Sequence, residues 1–154
     1  MNMGFFDNFF GSAKRTIAVY TNDYTFLHAA TAAAALVINA DGVVEKAEVD
    51  SALEGLLNNE ILKGSFKSLE ISSSLTEAIG RSKTRSGKVV LNRQLEDLAD
   101  RPETQRQDVF LIAADVGDTD KETDDQPGIG TAELAVLNAV GKLLGLDANK
   151  LLAA

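Results

Sequence analysis

Carboxylates are the side chains of this chain with the widest scope for chemistry, and they are gathered in two blocks. Residues 41–60 hold six acids (Asp41, Glu45, Glu48, Asp50, Glu54 and Glu60) against Lys46, a net of −5. Residues 115–133 hold seven (Asp115, Asp118, Asp120, Glu122, Asp124, Asp125 and Glu133) against Lys121, a net of −6. The whole chain carries −8, so everything outside the two blocks is slightly basic. Concentrated carboxylates suit three purposes: a solvated acidic surface that meets a protein partner, an all-oxygen site for a hard cation, or an acid–base pair in an enzyme.

Other chemistries lack their residues. There is no cysteine and His28 is the single histidine. That excludes a disulfide framework, a Cys-rich zinc site, a thiol nucleophile and any reaction that needs two histidines. No Gly-x-Ser-x-Gly, Walker or HExxH pattern occurs. The basic stretch 82–88 (SKTRSGK) lacks the glycine spacing of a P-loop and reads as a solvated loop. Gly128-Ile129-Gly130 precedes a helix in the manner of a phosphate loop, but the net −6 around it repels phosphate. A carboxylate pair can hydrolyse glycosides, yet a small helical domain offers no long cleft, and aromatic residues make up only 6% of the chain. The acidic balance also argues against nucleic acid as a direct partner.

These acids must be positioned by a fold. At 154 residues and 45% apolar content, the chain is long enough for one domain with a sizeable core. Nothing in residues 1–11 reads as a secretory signal, and the longest apolar run, 32–38, is far shorter than the roughly 20 residues that span a bilayer. The expected location is the cytoplasm.

Phe5, Phe6, Phe9, Phe10, Ala13, Ile17 and Tyr20 recur at helical spacing and predict a first amphipathic helix, its Phe stripe covering the core with part left for a partner. The alanine-rich segment 26–40 is apolar around most of its circumference, which marks a central, closely packed helix. His28 is expected there as a packed or helix-end residue, and Asp41-Gly42 should close that helix. Further helices are expected over 45–58, 66–79 (with Phe66, Leu69, Leu75 and Ile79 on its apolar face), 89–99, from Pro102 to about Asp115, and 131–144. Segment 116–130 reads as a long acidic loop. The fold class is all-α, a compact domain of about seven helices.

Two parts of the chain repeat each other. Leu36-Val37-Ile38-Asn39-Ala40-Asp41 matches Phe110-Leu111-Ile112-Ala113-Ala114-Asp115, and Ala47-Glu48-Val49 matches Ala132-Glu133-Leu134. The offset is 74 before the loop and 85 after it, so the second copy carries an 11-residue insertion. Each copy is an apolar helix ending in Asp, an acidic loop, and a helix with Glu in its first turn. Such a pair cannot bury its apolar face alone, so the copies, about 25–60 and 102–146, are expected to pack together through Leu36, Val37, Ile38, Phe110, Leu111 and Ile112.

At these residues the sequence resembles the tellurite-resistance TerB family and the related TerB-like domain. The resemblance rests on Ala40-Asp41-Gly42 with Glu48 seven positions after the Asp, on the second copy, and on the Gly4-Phe5-Phe6-Asp7 start. It extends over most of the chain in layout and is specific at about 25 positions. It implies an all-helical single domain with a divalent-cation site built from the two repeats, in a cytoplasmic stress-response component that works with membrane-embedded partners at the inner face of the membrane. By resemblance, Asp41 and Glu48 map onto the motif and Asp115 and Glu133 onto its second copy. That copy departs from the pattern, with Val116 in place of the motif glycine and Glu133 eighteen residues after Asp115. Asp118 or Asp120 would fill it out, Asp118 being preferred.

Oxygen-only ligands favour calcium, magnesium or manganese over zinc. A frame starting at Asp118 is not an EF-hand, because Thr123 stands at position 6 and Ile129 at position 12. Helix capping explains Glu48 and Glu133, each near the third position of its helix. It does not explain Asp41 and Asp115, expected just past helix ends, where the dipole disfavours an anion. With the resemblance, the expected function is a non-enzymatic, divalent-cation-binding stress-response component with protein partners. The alternative is a metal-independent helical scaffold that binds a partner through its acidic surface or its Phe-rich N-terminus.

Overall fold

The computed structural model describes residues 20–119 and 130–153, excepting the side chains of 118 and 119. The first amphipathic helix, apart from Tyr20, and most of the acidic loop lie outside the described residues. Among the described residues there are eight helices and no strand, so the fold is all-α.

The first of these, α1 (Tyr24–Ile38), starts at Asp23, whose side chain accepts a hydrogen bond from the Phe26 amide at 3.2 Å. Eleven of its fifteen residues are buried, six of them alanines, so the helix is covered on nearly every side. Small side chains let α4, α5, α6 and α7 approach its backbone closely, which is why the alanine-rich segment sits at the centre. Thr31, the buried polar residue in this run, returns its hydroxyl to Leu27 O at 3.0 Å and meets Ser74 Oγ at 2.7 Å. The chain leaves α1 through Asn39, whose Nδ2 donates to Ser82 O at 2.7 Å, and turns at Gly42 with φ of 83°.

Helix α2 (Lys46–Asn58) is followed at once by the short α3 (Glu60–Ser65). Asn59 divides the two, accepting from the Ile61 and Leu62 amides at 3.0 and 3.2 Å. Helix α4 (Ser68–Ser82) buries Ile71, Leu75, Ala78 and Ile79. Leu69, expected on that face, is instead 76% exposed, and Ile71 takes its place in the core. The serines that weaken this helix by propensity are offset by tertiary contact, Ser74 meeting Thr31.

Two boundaries differ from the sequence reading. The stretch 82–88 is not all loop. Helix α5 (Arg85–Glu96) begins inside it, with Thr84 as N-cap accepting from the Gly87 amide at 3.0 Å. Helix α6 (Glu103–Thr119) does not stop near Asp115 but runs on past it. At the repeat offset, the last residue of α1, Ile38, corresponds to Ile112, so α6 runs about two turns further past that point than its counterpart does. The glycine that turns the chain after Asp41 is replaced by Val116, which is buried, and the helix continues. Helices α7 (Thr131–Leu143) and α8 (Ala148–Ala153) complete the described fold.

The two repeats do pack together, α1 against α6, with each of these also meeting the second helix of the other repeat. Val37, Ile38, Phe110 and Ile112 are buried there, while Leu36 and Leu111 are partly buried against the same core.

Candidate functional site

The acidic turn of the first repeat is built by local hydrogen bonds. Asp41 Oδ1 accepts from the Val43 amide at 3.0 Å and folds 41–43 over the positive-φ Gly42. Glu48, at the third position of α2, accepts from the Glu45 amide at 3.1 Å through Oε1. One oxygen of each carboxylate is thus held by the backbone of its own turn. Glu45 and Asp41 are exposed, and Glu48 is half-buried. Lys46, the one base in this block, is engaged with Asp50 at 2.7 Å.

In the second repeat, Glu133 occupies the third position of α7, as Glu48 does in α2, after a Gly130 N-cap. Asp115 lies within α6, not beyond its end, so the helix-end placement read from sequence is corrected. It is exposed and borders a small cavity of about 40 Å³ with Gly55, Leu56, Asn59, Ile112 and Val116. Asp118 belongs to the last turn of the same helix. Both aspartates therefore remain at the negative end of the α6 dipole, where an anion gains from a nearby cation.

The cavity beside Asp115 has a counterpart. Leu36, Asn39 and Ala40, at the end of α1, border a groove of about 190 Å³ with Val136, Ala139, Val140 and Leu143 of α7. At offsets of 74 and 85 the groove residues 36, 39 and 40 correspond to 110, 113 and 114, two positions before the cavity residues 112, 115 and 116, while 140 corresponds to 55. The end of the first helix of each repeat thus rests on the far half of the second helix of the other repeat. This reciprocal packing is the structural form of the repeat.

It also sets where the acids stand. Asp115 borders Gly55 and Asn59, whereas Glu48 is in the first turn of α2, seven residues before Gly55 and so about 10 Å away along the axis. Among the described residues no group of three or more His, Cys, Asp or Glu side chains is placed to hold a metal ion together. The Asp118 side chain and residues 120–129 lie outside that statement. The donor set fits a hard cation in kind, being carboxylate oxygen throughout. The described carboxylates divide between the two repeats.

Comparison with known protein families, with curated proteins and with solved structures yields no match.

Two features near α1 escaped the sequence reading. His28 is exposed and lies beside a polar cleft with Ser74, Glu77, Arg81 and Gln94, where Arg81 and Glu77 form an ion pair at 2.6 Å. At the start of α1, Arg101 makes two hydrogen bonds to Asp23, at 2.6 and 3.0 Å. Burial raises the Asp23 carboxyl, but the Arg101 hydrogen bonds, the Phe26 amide and the Arg101 charge outweigh it and hold the group below its ordinary range. Beside this pair, the Tyr20 hydroxyl donates to Asp108 Oδ2 at 2.7 Å. Partners 88 residues apart leave no periodic signal, and only the tertiary fold brings them together.

No helix among the described residues is long and apolar enough to cross a membrane.

Proposed function

We propose that this protein is a non-enzymatic, divalent-cation-binding component of the tellurite-resistance type, acting in the cytoplasm with protein partners that include a membrane-embedded one. The observation that carries this reading is the reciprocal packing of the two repeats, the end of each first helix lying against the second helix of the other. It supports treating the acidic turns as equivalent devices and not as unrelated loops. Asp41 and Glu48 are the ligands of the first copy, and Asp115, Asp118 and Glu133 those of the second. Calcium, magnesium and manganese are the candidates, since every donor is oxygen. Backbone hydrogen bonds to Asp41 and Glu48 fix the carboxylates in place, as outer partners do for metal ligands. Glu48 and Asp115 stand toward opposite ends of α2, so the single site expected between the two repeats becomes two in this reading, one ion in each repeat.

The test is titration calorimetry of the metal-stripped protein with calcium, magnesium and manganese in turn. Two binding events per chain are expected for at least one cation. Asp41→Ala should remove one of them and Asp115→Ala the other. Absence of heat with all three cations, by calorimetry and by equilibrium dialysis, would overturn the reading.

A second reading is favoured by the same two hydrogen bonds. Asp41 and Glu48 serve as turn and cap residues, and the acidic face binds a protein partner without metal. Partner capture that is indifferent to a chelator and lost when Asp41, Glu45 and Glu48 are neutralised together would favour it.

A further inference from the structure

Asp108 is a carboxylate set into the core, 5% exposed, on a face of α6 that meets the start of α1. Its partner is the hydroxyl of Tyr20, a fully buried side chain whose ring stacks on Phe26 with centroids 3.6 Å apart. A buried carboxylate is ordinarily paired with a cation, because desolvating a lone charge is costly. Here both nearby guanidinium groups are engaged elsewhere. Arg101 is bound to Asp23, and Arg106 donates to Leu144 O, Gly145 O and Arg101 O at 2.9, 3.2 and 2.9 Å. Among the described residues no ion pair reaches Asp108. Asp23, the other acid at this corner, is neutralised by Arg101.

We propose that the buried Tyr20–Asp108 corner is a proton-responsive latch, which holds the turn ahead of α1 on α6 when Asp108 is protonated and loosens when it is ionised, because the cost of burying the charge outweighs the stronger hydrogen bond that the ionised carboxylate accepts from Tyr20. The contact is well placed for that work. A turn held by Asp23 N–H to Tyr20 O at 2.8 Å links Tyr20 to the start of α1. Opening this turn would hydrate Asp108 and expose the Tyr20 ring while leaving the rest of α1 in the core.

The sign follows from burial. Desolvation raises the Asp108 carboxyl from 3.8 to about 6, against a smaller lowering by the Tyr20 hydroxyl. The closed form therefore holds the proton more tightly than the open form. Its contribution to closure is full below the unfolded value and is lost as pH rises through about 6. Burial, the Asp108 charge and the hydrogen bond together push the Tyr20 phenol far up, so it remains a donor throughout. The Asp23–Arg101 pair runs the other way, its lowered carboxyl weakening the corner only as pH falls below the ordinary carboxylate range. The two responses occupy separate pH windows.

Native-state hydrogen exchange of the full chain tests the latch. After correction for intrinsic rates, the opening equilibrium of the Asp23 and Leu27 amides should rise roughly tenfold between pH 5 and pH 7.5. Asp108→Asn should abolish that dependence. Tyr20→Phe, which keeps the ring stack and removes the hydroxyl, should move the midpoint of the Asp108 carboxyl NMR titration above that of the parent protein. Equal opening at the two pH values in the parent protein would overturn the proposal. So would an unchanged pH dependence in Asp108→Asn, or an Asp108 midpoint that Tyr20→Phe leaves in place.

Discussion

Gly87→Ala will lower the melting temperature by roughly 6–12 °C, a loss of about 3 kcal/mol, although alanine is the better helix former by about 1 kcal/mol. The link between α4 and α5 is only Lys83 and Thr84, so α5 starts directly over the end of α4. A Cβ at position 87 would overlap the Arg81 carbonyl oxygen and lie 2.6 Å from its carbon. That carbonyl is backbone and cannot swing aside as a side chain would. Moving it would shift Ser82, which is fully buried, bonded to Ile79 O and joined to Asn39 at the end of α1. Gly55 and Gly80 provide the control, since an added Cβ there meets nothing within 4 Å. Alanine at either should raise stability by up to about 1 kcal/mol. Thermal melting of the three variants checks both the sign and the size of the contrast.

Phe110→Ala should cost about 3–5 kcal/mol, the largest loss expected from a single truncation at the repeat interface. Phe110 is fully buried in α6 and belongs to the core shared with α1. Six of the eleven buried residues of α1 are alanines, whose short side chains can fill little of the space left, so the cost should be high within that range. Leu111, its neighbour, is only partly buried, and Leu111→Ala should cost less than half as much. Denaturant unfolding of both variants measures the difference. Equal losses would mean that the interface is not organised around Phe110.

Legibility in the sequence followed the physics of each feature. The all-α class, the central place of the alanine-rich helix, the turn at Gly42 and the burial of Val37, Ile38, Phe110 and Ile112 all rest on periodicity or on a local backbone requirement, which composition and spacing carry. The misread boundaries depended on single caps. Thr84 starts α5 inside a stretch whose polar composition reads as loop, and Val116 lets α6 pass the position where Gly42 stops the first copy. Leu69 has helical spacing but faces water, because the α4 stripe is set by Ile71 and Leu75 against α1. The acids were visible as residue types and as a repeat. Their spacing in three dimensions was not, since the end of each first helix is carried to the far half of the opposite repeat's second helix, a crossing no local pattern encodes. The Tyr20–Asp108 pair was hidden for the same reason, and Asp108 looked like any polar position of an amphipathic helix.

The acidic turns invite one direct measurement, the melting temperature of the full chain in chelator and then in calcium, magnesium and manganese. A cation at 100 times its dissociation constant adds about 2.7 kcal/mol for one site, a rise of about 5–10 °C in a domain of this size. The account predicts that rise for at least one of the three ions, with part of it lost in Asp41→Ala and part in Asp115→Ala. The same melting temperature in all four conditions, unchanged by either substitution, would contradict it.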